Sequence, residues 1–382
     1  RPSRCRRLHR IVRSVIILDE VQTLPVDLLR PTLAMLEELC RNYGCTIVLC
    51  SATQPAVDRR DYFSIGLPDV REIIDDAPAL FSALKRVDVE RIGAVEDADL
   101  AARLSEHDQV LCVVNTRSHA ADLFHLLQND SAAAGIDGAF HLSAQMCPAH
   151  RDSVLRCIRQ RLDQKEPCRV ISTQLVEAGV DIDFPVVYRA MTGVDSIAQA
   201  AGRCNREGRL NRGRVFVFET NVDPPGDLRL RRQTGAEVAA LHDDLLGLEA
   251  VEHYFSLLYW SRKDEWDKHG IMQSEQSANS QLHAQFRRAA SEYRLIRDEQ
   301  YPIIVPYGDD GKRLIDELRS MHEPPGRGFS RRAQRFTVGV RAWQLKKLRE
   351  ATLVELYHER FWVLEVPNAY DKALGLRIDP TS

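Results

Sequence analysis

Two adjacent carboxylates, Asp19 and Glu20, follow the wholly apolar run Val15-Ile16-Ile17-Leu18. Such a run is expected of a parallel strand covered on both faces, and open α/β sheets place their ligands at the carboxyl ends of strands. A carboxylate pair delivered there has a Walker-B arrangement. Asp19 can hold magnesium through water, and Glu20 can orient and deprotonate an attacking water. Elsewhere an Asp-Glu pair is an ordinary solvated loop charge, so its position after four apolar residues gives it meaning. Ser51-Ala52-Thr53 ends the next apolar run, Thr46-Ile47-Val48-Leu49-Cys50. Its hydroxyls can hydrogen-bond the carboxylates and sense a nucleotide, or merely cap a turn. The acidic pair and the hydroxyl pair sit one βαβ unit apart, and together they say more than either alone.

Further along, Asn115-Thr116-Arg117 ends one apolar run and Thr173-Gln174-Leu175-Val176-Glu177-Ala178-Gly179-Val180-Asp181 ends another. Hydroxyl, amide and guanidinium groups at strand tips suit sequence-independent contacts to phosphate oxygens. Gly179 allows close backbone approach, and Asp181 offers an acceptor for a ribose hydroxyl or an arginine. Gln199-Ala200-Ala201-Gly202-Arg203-Cys204-Asn205-Arg206 follows. Read as a helix, it points Arg203 and Arg206 the same way, so that both forks can meet one triphosphate, while small Ala200, Ala201 and Gly202 lie close to a sheet. The plain alternative is a solvated basic face continuing into Arg209, Arg212 and Arg214.

The elements that must position these residues alternate. A helix is predicted from Val26 to Asn42, with Leu29, Leu33, Leu36 and Cys40 on one face and Gly44 at its end. Strands are predicted at Val110–Val114, Val170–Ser172, Pro185–Arg189 and Val215–Phe218, with a helix from Ser118 to Leu127. That alternation implies a parallel sheet. Asp223-Pro224-Pro225-Gly226 is a breaker cluster and marks a boundary. From Leu228 to Ile296 the pattern is helical, with Leu245, Leu248, Val251 and Phe255 on one buried face and Tyr254, Phe255, Tyr259 and Trp260 as core. A second breaker cluster runs from Glu323 to Gly328. The fold class expected is α/β, with domains at 1–88, 89–222, 223–300 and 301–382.

Composition excludes several classes. With 52 Lys+Arg against 55 Asp+Glu the net charge is −3, so a wholly basic nucleic-acid binder is excluded while local basic patches are not. Forty-four per cent hydrophobic and 28% charged residues make an ordinary globular chain. No apolar run approaches the roughly 18 residues of a membrane span. Nine scattered cysteines without a CxxC pair argue against a zinc ribbon or a disulfide framework and fit a cytoplasmic location. Arg1, Arg4, Arg6, Arg7, Arg10 and Arg13 form either a solvated face or part of a DNA path. Residues 326–349 carry eight basic and no acidic residues, with Phe329, Phe336 and Trp343 interleaved. They suit a single-strand channel or a small core beneath a basic surface. His107-Asp108 and His242-Asp243 lack companion metal ligands in the sequence.

Five motifs in this order, with this spacing, resemble motifs II to VI of superfamily 2 helicases. The phrase Leu18-Asp19-Glu20-Val21-Gln22-Thr23-Leu24-Pro25, with Ser51-Ala52-Thr53-Gln54-Pro55, is similar to the helicase–nuclease of type I CRISPR interference. Arg294-Leu295-Ile296 and Ile303-Ile304-Val305-Pro306-Tyr307 resemble the accessory region of type I-C members. The resemblance implies RecA-like lobes, partial first and complete second, followed by a helical linker and a small C-terminal accessory domain. It implies an ATP-dependent, single-stranded DNA translocase recruited by the Cascade surveillance complex, using ATP and Mg2+ and acting as a monomer. The implied catalytic residues are Asp19, Glu20, Gln22, Arg203 and Arg206, with Asp19 at the metal. Ser51 and Thr53 would couple. Gln199, Gly179 and Asp181 would hold nucleotide, and Asn115, Thr116, Arg117, Thr173 and Gln174 would hold DNA. Gln22 stands where many relatives have His. No G-x-x-x-x-G-K-[ST] loop and no HD nuclease occur in the sequence. Both lie upstream in the family, so a chain lacking its natural N-terminus, inactive alone, is the expectation. A non-catalytic nucleic-acid or Cascade binding module, or another superfamily 2 helicase acting on RNA or in repair, is the alternative.

Overall fold

The computed structural model describes residues 7–51, 53, 57–61, 63–133, 138–272, 286–295 and 300–378. Arg1, Arg4, Arg6, Ala52, Gln54, Pro55 and Ile296, all named above, lie outside the described residues. The chain divides into two compact units. One comprises Arg1–Lys85, Thr192–Ala198 and Arg229–Arg297; the other comprises Arg86–Met191, Gln199–Leu228 and Asp298–Ser382.

The first unit opens with β1 (Val15–Leu18), α1 (Leu29–Tyr43), β2 (Thr46–Leu49) and α2 (Ala77–Leu84). β1 and β2 pair in parallel, Val15 with Thr46 through Leu18 with Leu49. Helix α1 buries Leu29, Leu33, Leu36 and Leu39 and stops at Gly44, whose φ of 62° is free of Cβ strain. Two expectations are corrected. Cys40 is exposed, because the helical period brings Leu39 rather than its neighbour to the buried face. β1 is not covered on both faces: Val15 and Ile17, which alternate onto one face, are 64% and 65% exposed, so that face has no packed layer among the described residues. β2 is likewise at most half-buried.

In the second unit β3 (Val87–Ala94), α3 (Asp97–Ser105), β4 (Gln109–Val113), α4 (Arg117–Ala133), β5 (Ala139–Leu142), α5 (Pro148–Gln164), β6 (Cys168–Ser172), β7 (Val186–Ala190) and β8 (Gly213–Glu219) build a six-stranded sheet. Its order is β3-β8-β7-β4-β6-β5 and every neighbouring pair is parallel. β4, β6 and β7 are buried almost throughout, as expected of their largely apolar sequences, each of β6 and β7 carrying one buried arginine. Leu100, Leu104, Val110, Cys112, Leu123, Phe124, Phe216 and Phe218 form the core between the sheet and helices α3 and α4. β3 and β5 escaped the sequence reading because their charged and half-buried residues lack a continuous apolar run. Between β7 and β8 lies α6 (Val194–Ala201).

The helical stretch that follows returns to the first unit as α7 (Asp227–Leu241), α8 (Leu248–Trp260) and α9 (Phe286–Glu292). Leu245, Val251, Tyr254, Phe255 and Tyr259 are buried as expected, whereas Leu248 and Trp260, at the ends of α8, are 42% and 59% exposed. Phe63 stacks on Tyr259 at 5.1 Å and meets Trp266 edge-on at 5.3 Å.

Residues from β9 (Gln300–Ile304) onward pack within the second unit: α10 (Gly308–Ser320), α11 (Arg327–Ala333), β10 (Thr337–Arg341), α12 (Ala342–Glu350), β11 (Val354–Tyr357), β12 (Phe361–Leu364), β13 (Tyr370–Asp371) and β14 (Gly375–Leu376). The order β10-β9-β12-β11 makes a four-stranded mixed sheet. Phe329 and Phe336 belong to its core, as the bland reading of that segment held, while Trp343 is 54% exposed under Lys347. The β13–β14 hairpin docks on the parallel-sheet region, where Tyr370 Oη accepts the Cys147 amide at 3.0 Å and lies 3.0 Å from His150 Nδ1.

Candidate active site

The acidic pair sits where the strand ends. Glu20 is in the left-handed region at φ 54°, ψ 46°, a conformation that costs a non-glycine residue about 1 kcal/mol or more. The turn is held by the Glu20 amide donating to Asp19 Oδ1 at 3.0 Å. Gln22 is buried at 3% exposure and donates from Nε2 to Glu20 Oε2. Its Oε1 accepts the Ser51 hydroxyl at 2.6 Å, and Ser51 Oγ in turn accepts the Thr53 amide at 3.0 Å. Thr53 is 2% exposed, and its Oγ1 has no hydrogen-bond partner among the described residues. The Ser51 hydroxyl therefore reaches the carboxylate through the Gln22 amide rather than directly, and Thr53 joins through its backbone amide. Asp19 stays exposed, with carboxylate oxygens suited to a hard divalent cation.

The motifs of the second unit meet at the ends of β4, β6 and β7. Asn115 is buried: its Nδ2 donates to the Met191 carbonyl at 2.9 Å, and its Oδ1 accepts from Arg189 Nη1 at 2.7 Å. Its amide knits two strand ends instead of facing outward. Thr116 caps α4 by accepting the His119 amide at 3.3 Å. Arg117 opens that helix, half-buried, and burial first and the Arg341 guanidinium second lower its pKa. Thr173 is 6% exposed, and Gln174 Nε2 donates to the Asn115 carbonyl at 3.1 Å. Gly179 has φ +70° and open space where a Cβ would stand.

The two arginines do not share a helix face. Helix α6 carries Gln199 but ends at Ala201, so Arg203 and Arg206 lie in the turn beyond it, and Gly202 is exposed. Arg203 is 8% exposed and spans the loop after β6, donating to the Val176 carbonyl at 2.8 Å and the Glu177 carbonyl at 2.6 Å. Arg206 is 44% exposed at its side chain and pairs with Asp181 at 3.0 Å. Asp183 fixes that turn by accepting the Arg206 and Glu207 amides at 2.7 and 3.2 Å. Burial pushes the neighbouring Cys204 thiol up to about 12, which keeps it protonated and inert.

Sequence reasoning gave no role to Arg189 and Glu177, which form the centre of this region. They pair at 2.9 Å with side chains 0% and 5% exposed. Arg189 also donates to the Ala190 carbonyl at 3.0 Å. A buried ion pair is secured by such added hydrogen bonds, and removing one partner leaves an uncompensated charge. The available signal was a charged residue inside an otherwise apolar strand. Among the described residues no group of three or more His, Cys, Asp or Glu could hold a metal ion. His107 contacts Tyr188 Oη at 3.3 Å, and His242 contacts His253 at 2.9 Å.

A family model described as CRISPR-associated nuclease/helicase Cas3, C-terminal, matches residues 106–209, which hold every one of these second-unit motifs. The CRISPR-associated nuclease/helicase Cas3 of Haloferax volcanii is 51% identical over 67 residues, 16% of this chain and 7% of that protein. Its counterpart from Methanothermobacter thermautotrophicus is 25% identical over 207 residues, 50% of this chain and 24% of that protein. The crystal structure of T. fusca Cas3-ATP shares the fold with a TM-score of 0.62 at 14% identity, over 92% of this chain and 51% of that one. The chain thus spans about half the length of that structure, and its α/β architecture is that of RecA-like helicase lobes. Family model, curated relatives and fold agree in what the chain resembles: residues 106–209 match the C-terminal region of the CRISPR-associated nuclease/helicase Cas3, and the chain is similar to Cas3-type CRISPR-associated helicases.

Proposed function

We propose that this chain is the part of an ATP-dependent, single-stranded DNA translocase that supplies the hydrolytic carboxylates and the arginine-bearing lobe. The observation that carries the reading is the relay Glu20–Gln22–Ser51–Thr53, a strand-end carboxylate tied to the hydroxyl motif of the neighbouring strand. Such a carboxylate has the chemistry of a general base for water attacking a phosphoanhydride, provided it is oriented. Asp19 would hold Mg2+, which would neutralise phosphate charge. Gln199, Gly179 and Asp181 would contact the nucleotide. Arg206, the more exposed arginine, would meet developing charge on the transferred phosphoryl, while Arg203 would shape the loop from which Asp181 projects. Thr116, Arg117, Thr173 and Gln174 would line the DNA path through backbone and side-chain polar groups, with Asn115 holding that edge in register. The phosphate-binding loop and the nuclease would come from outside this sequence, which alone would not turn over ATP. Recruitment by Cascade and cytoplasmic action are proposed from the family resemblance.

The test uses the full-length parent. Glu20→Gln keeps size and hydrogen bonding but cannot accept a proton, so ATP affinity is expected to persist while DNA-stimulated hydrolysis stops. Nucleotide binding and turnover measured side by side decide it. Wild-type turnover in the variant removes the base assignment. A parent that binds single-stranded DNA but never hydrolyses ATP would instead identify a binding module.

A further inference from the structure

Helix α6 carries Gln199 near its end, and its beginning is anchored in an unusual way. Asp195, in its first turn, accepts from Arg231 Nη1 of α7 at 2.9 Å, with the two side chains only 12% and 20% exposed. Tyr254 of α8 is fully buried, and its hydroxyl and Asp195 Oδ1 both crowd Gly193, where an added Cβ would stand 2.2 and 2.5 Å from them. Gly235 of α7 lies equally close, its absent Cβ only 1.9 Å from the Thr192 carbonyl. Two glycines thus let α7 and α8 approach the chain just where it enters α6.

Helix α8 also meets the chain at Arg60 and Phe63 inside the same unit. Arg60 pairs with Glu252 of α8, and Phe63 stacks on Tyr259. Both residues follow Ser51 and Thr53 closely in sequence. A packed path therefore runs from Arg60 and Phe63, through α8 and Arg231, to the first turn of α6.

We propose that Arg231 and Asp195, backed by Tyr254, are positioning residues for ATP turnover, fixing the first turn of α6, the helix that carries Gln199 near its end. This rests on the ATP-hydrolysing reading above. A buried charge pair on a scaffold suits this role, because its energy depends steeply on geometry and its loss leaves one charge uncompensated. A misplacement of about 1 Å at a catalytic group can cost about a hundredfold in rate, without touching the substrate itself.

The experiment compares full-length parent proteins carrying Arg231→Gln, Arg231→Lys, Asp195→Asn and the Asp195→Asn/Arg231→Gln double substitution. DNA-stimulated kcat is expected to fall by at least about tenfold in Arg231→Gln, with KM for ATP within about twofold and single-stranded DNA affinity unchanged. Arg231→Lys should recover part of the loss, since it restores charge without the fork. The double variant should be no worse than the poorer single one, as expected of two residues acting as a unit. A folded Arg231→Gln protein with unchanged kcat overturns the proposal. Should that variant fail to fold, the conservative Arg231→Lys decides: reduced kcat at constant KM supports positioning, and wild-type kcat overturns it. If wild-type parent shows no Glu20-dependent hydrolysis, the hydrolytic reading itself fails and this assignment falls with it. Hydrolysis intact in both wild type and Arg231→Gln sinks the positioning role alone.

Discussion

Arg203 and Arg206 were one feature in the sequence and are two in the structure. Arg203, buried against two carbonyls, holds a loop; Arg206, paired with an exposed carboxylate, is free to change partner. Their alanine variants should separate accordingly. Arg203→Ala leaves the Val176 and Glu177 carbonyls without their charged donor, and should destabilise the chain by about 3 kcal/mol. Arg206→Ala loses an exposed pair and should cost under about 1 kcal/mol, while lowering ATP turnover of the full-length parent by at least about a hundredfold if it meets transition-state charge. Arg212→Ala should leave turnover unchanged. Denaturant midpoints and steady-state turnover on the three variants check this. Equal turnover for Arg206→Ala and Arg212→Ala would remove Arg206 from the chemistry.

Between elements, close approach is set by glycine. Gly235 lies inside α7, where alanine would ordinarily gain about 1 kcal/mol of helix propensity. Here the added Cβ would meet the Thr192 backbone carbonyl at 1.9 Å, so α7 and the segment entering α6 must separate. Gly235→Ala should therefore destabilise by about 1–3 kcal/mol despite its propensity gain. Gly328 in α11 has nothing within 4 Å of a Cβ, and Gly328→Ala should stabilise by about 0.5–1 kcal/mol. Thermal unfolding of both variants tests the contrast. A neutral or stabilising Gly235→Ala would mean that α7 does not need its close seat on the approach to α6.

For the molecule as a whole, acid is a predicted weakness of the second unit. His141 on β5 is 2% exposed, and burial lowers its pKa from 6.5 to about 4. The unfolded chain takes up this proton below pH 6.5, whereas the folded one resists until about pH 4. The unfolded state thus binds more protons in that window. Stability is full above pH 6.5 and is lost as pH falls toward 4, by at most ~3 kcal/mol from this group. Burial lowers His150 as well, which adds to the same direction. Urea midpoints at pH 7 and pH 5 should differ, and His141→Phe should shrink the difference. An unchanged slope in that variant would assign the acid sensitivity elsewhere.

Much of this was legible in the sequence. Apolar runs ending in Asp19-Glu20, Ser51, Asn115 and Thr173 identified the strands and put these motifs at strand ends. Strand hydrophobicity and strand-end motifs are local properties, and a parallel sheet covered by helices leaves little choice about where such ends lie. Tertiary structure alone decided which polar residues face inward. Asn115 looked like a phosphate contact and is spent on Arg189 and Met191. Arg189 and Glu177 drew no attention and form the buried pair at the centre. Asp195 gained its partner from a helix distant in sequence. A charged side chain is buried only when partners from several separate elements compensate its lost hydration. That sum over distant neighbours is written in no single stretch of chain.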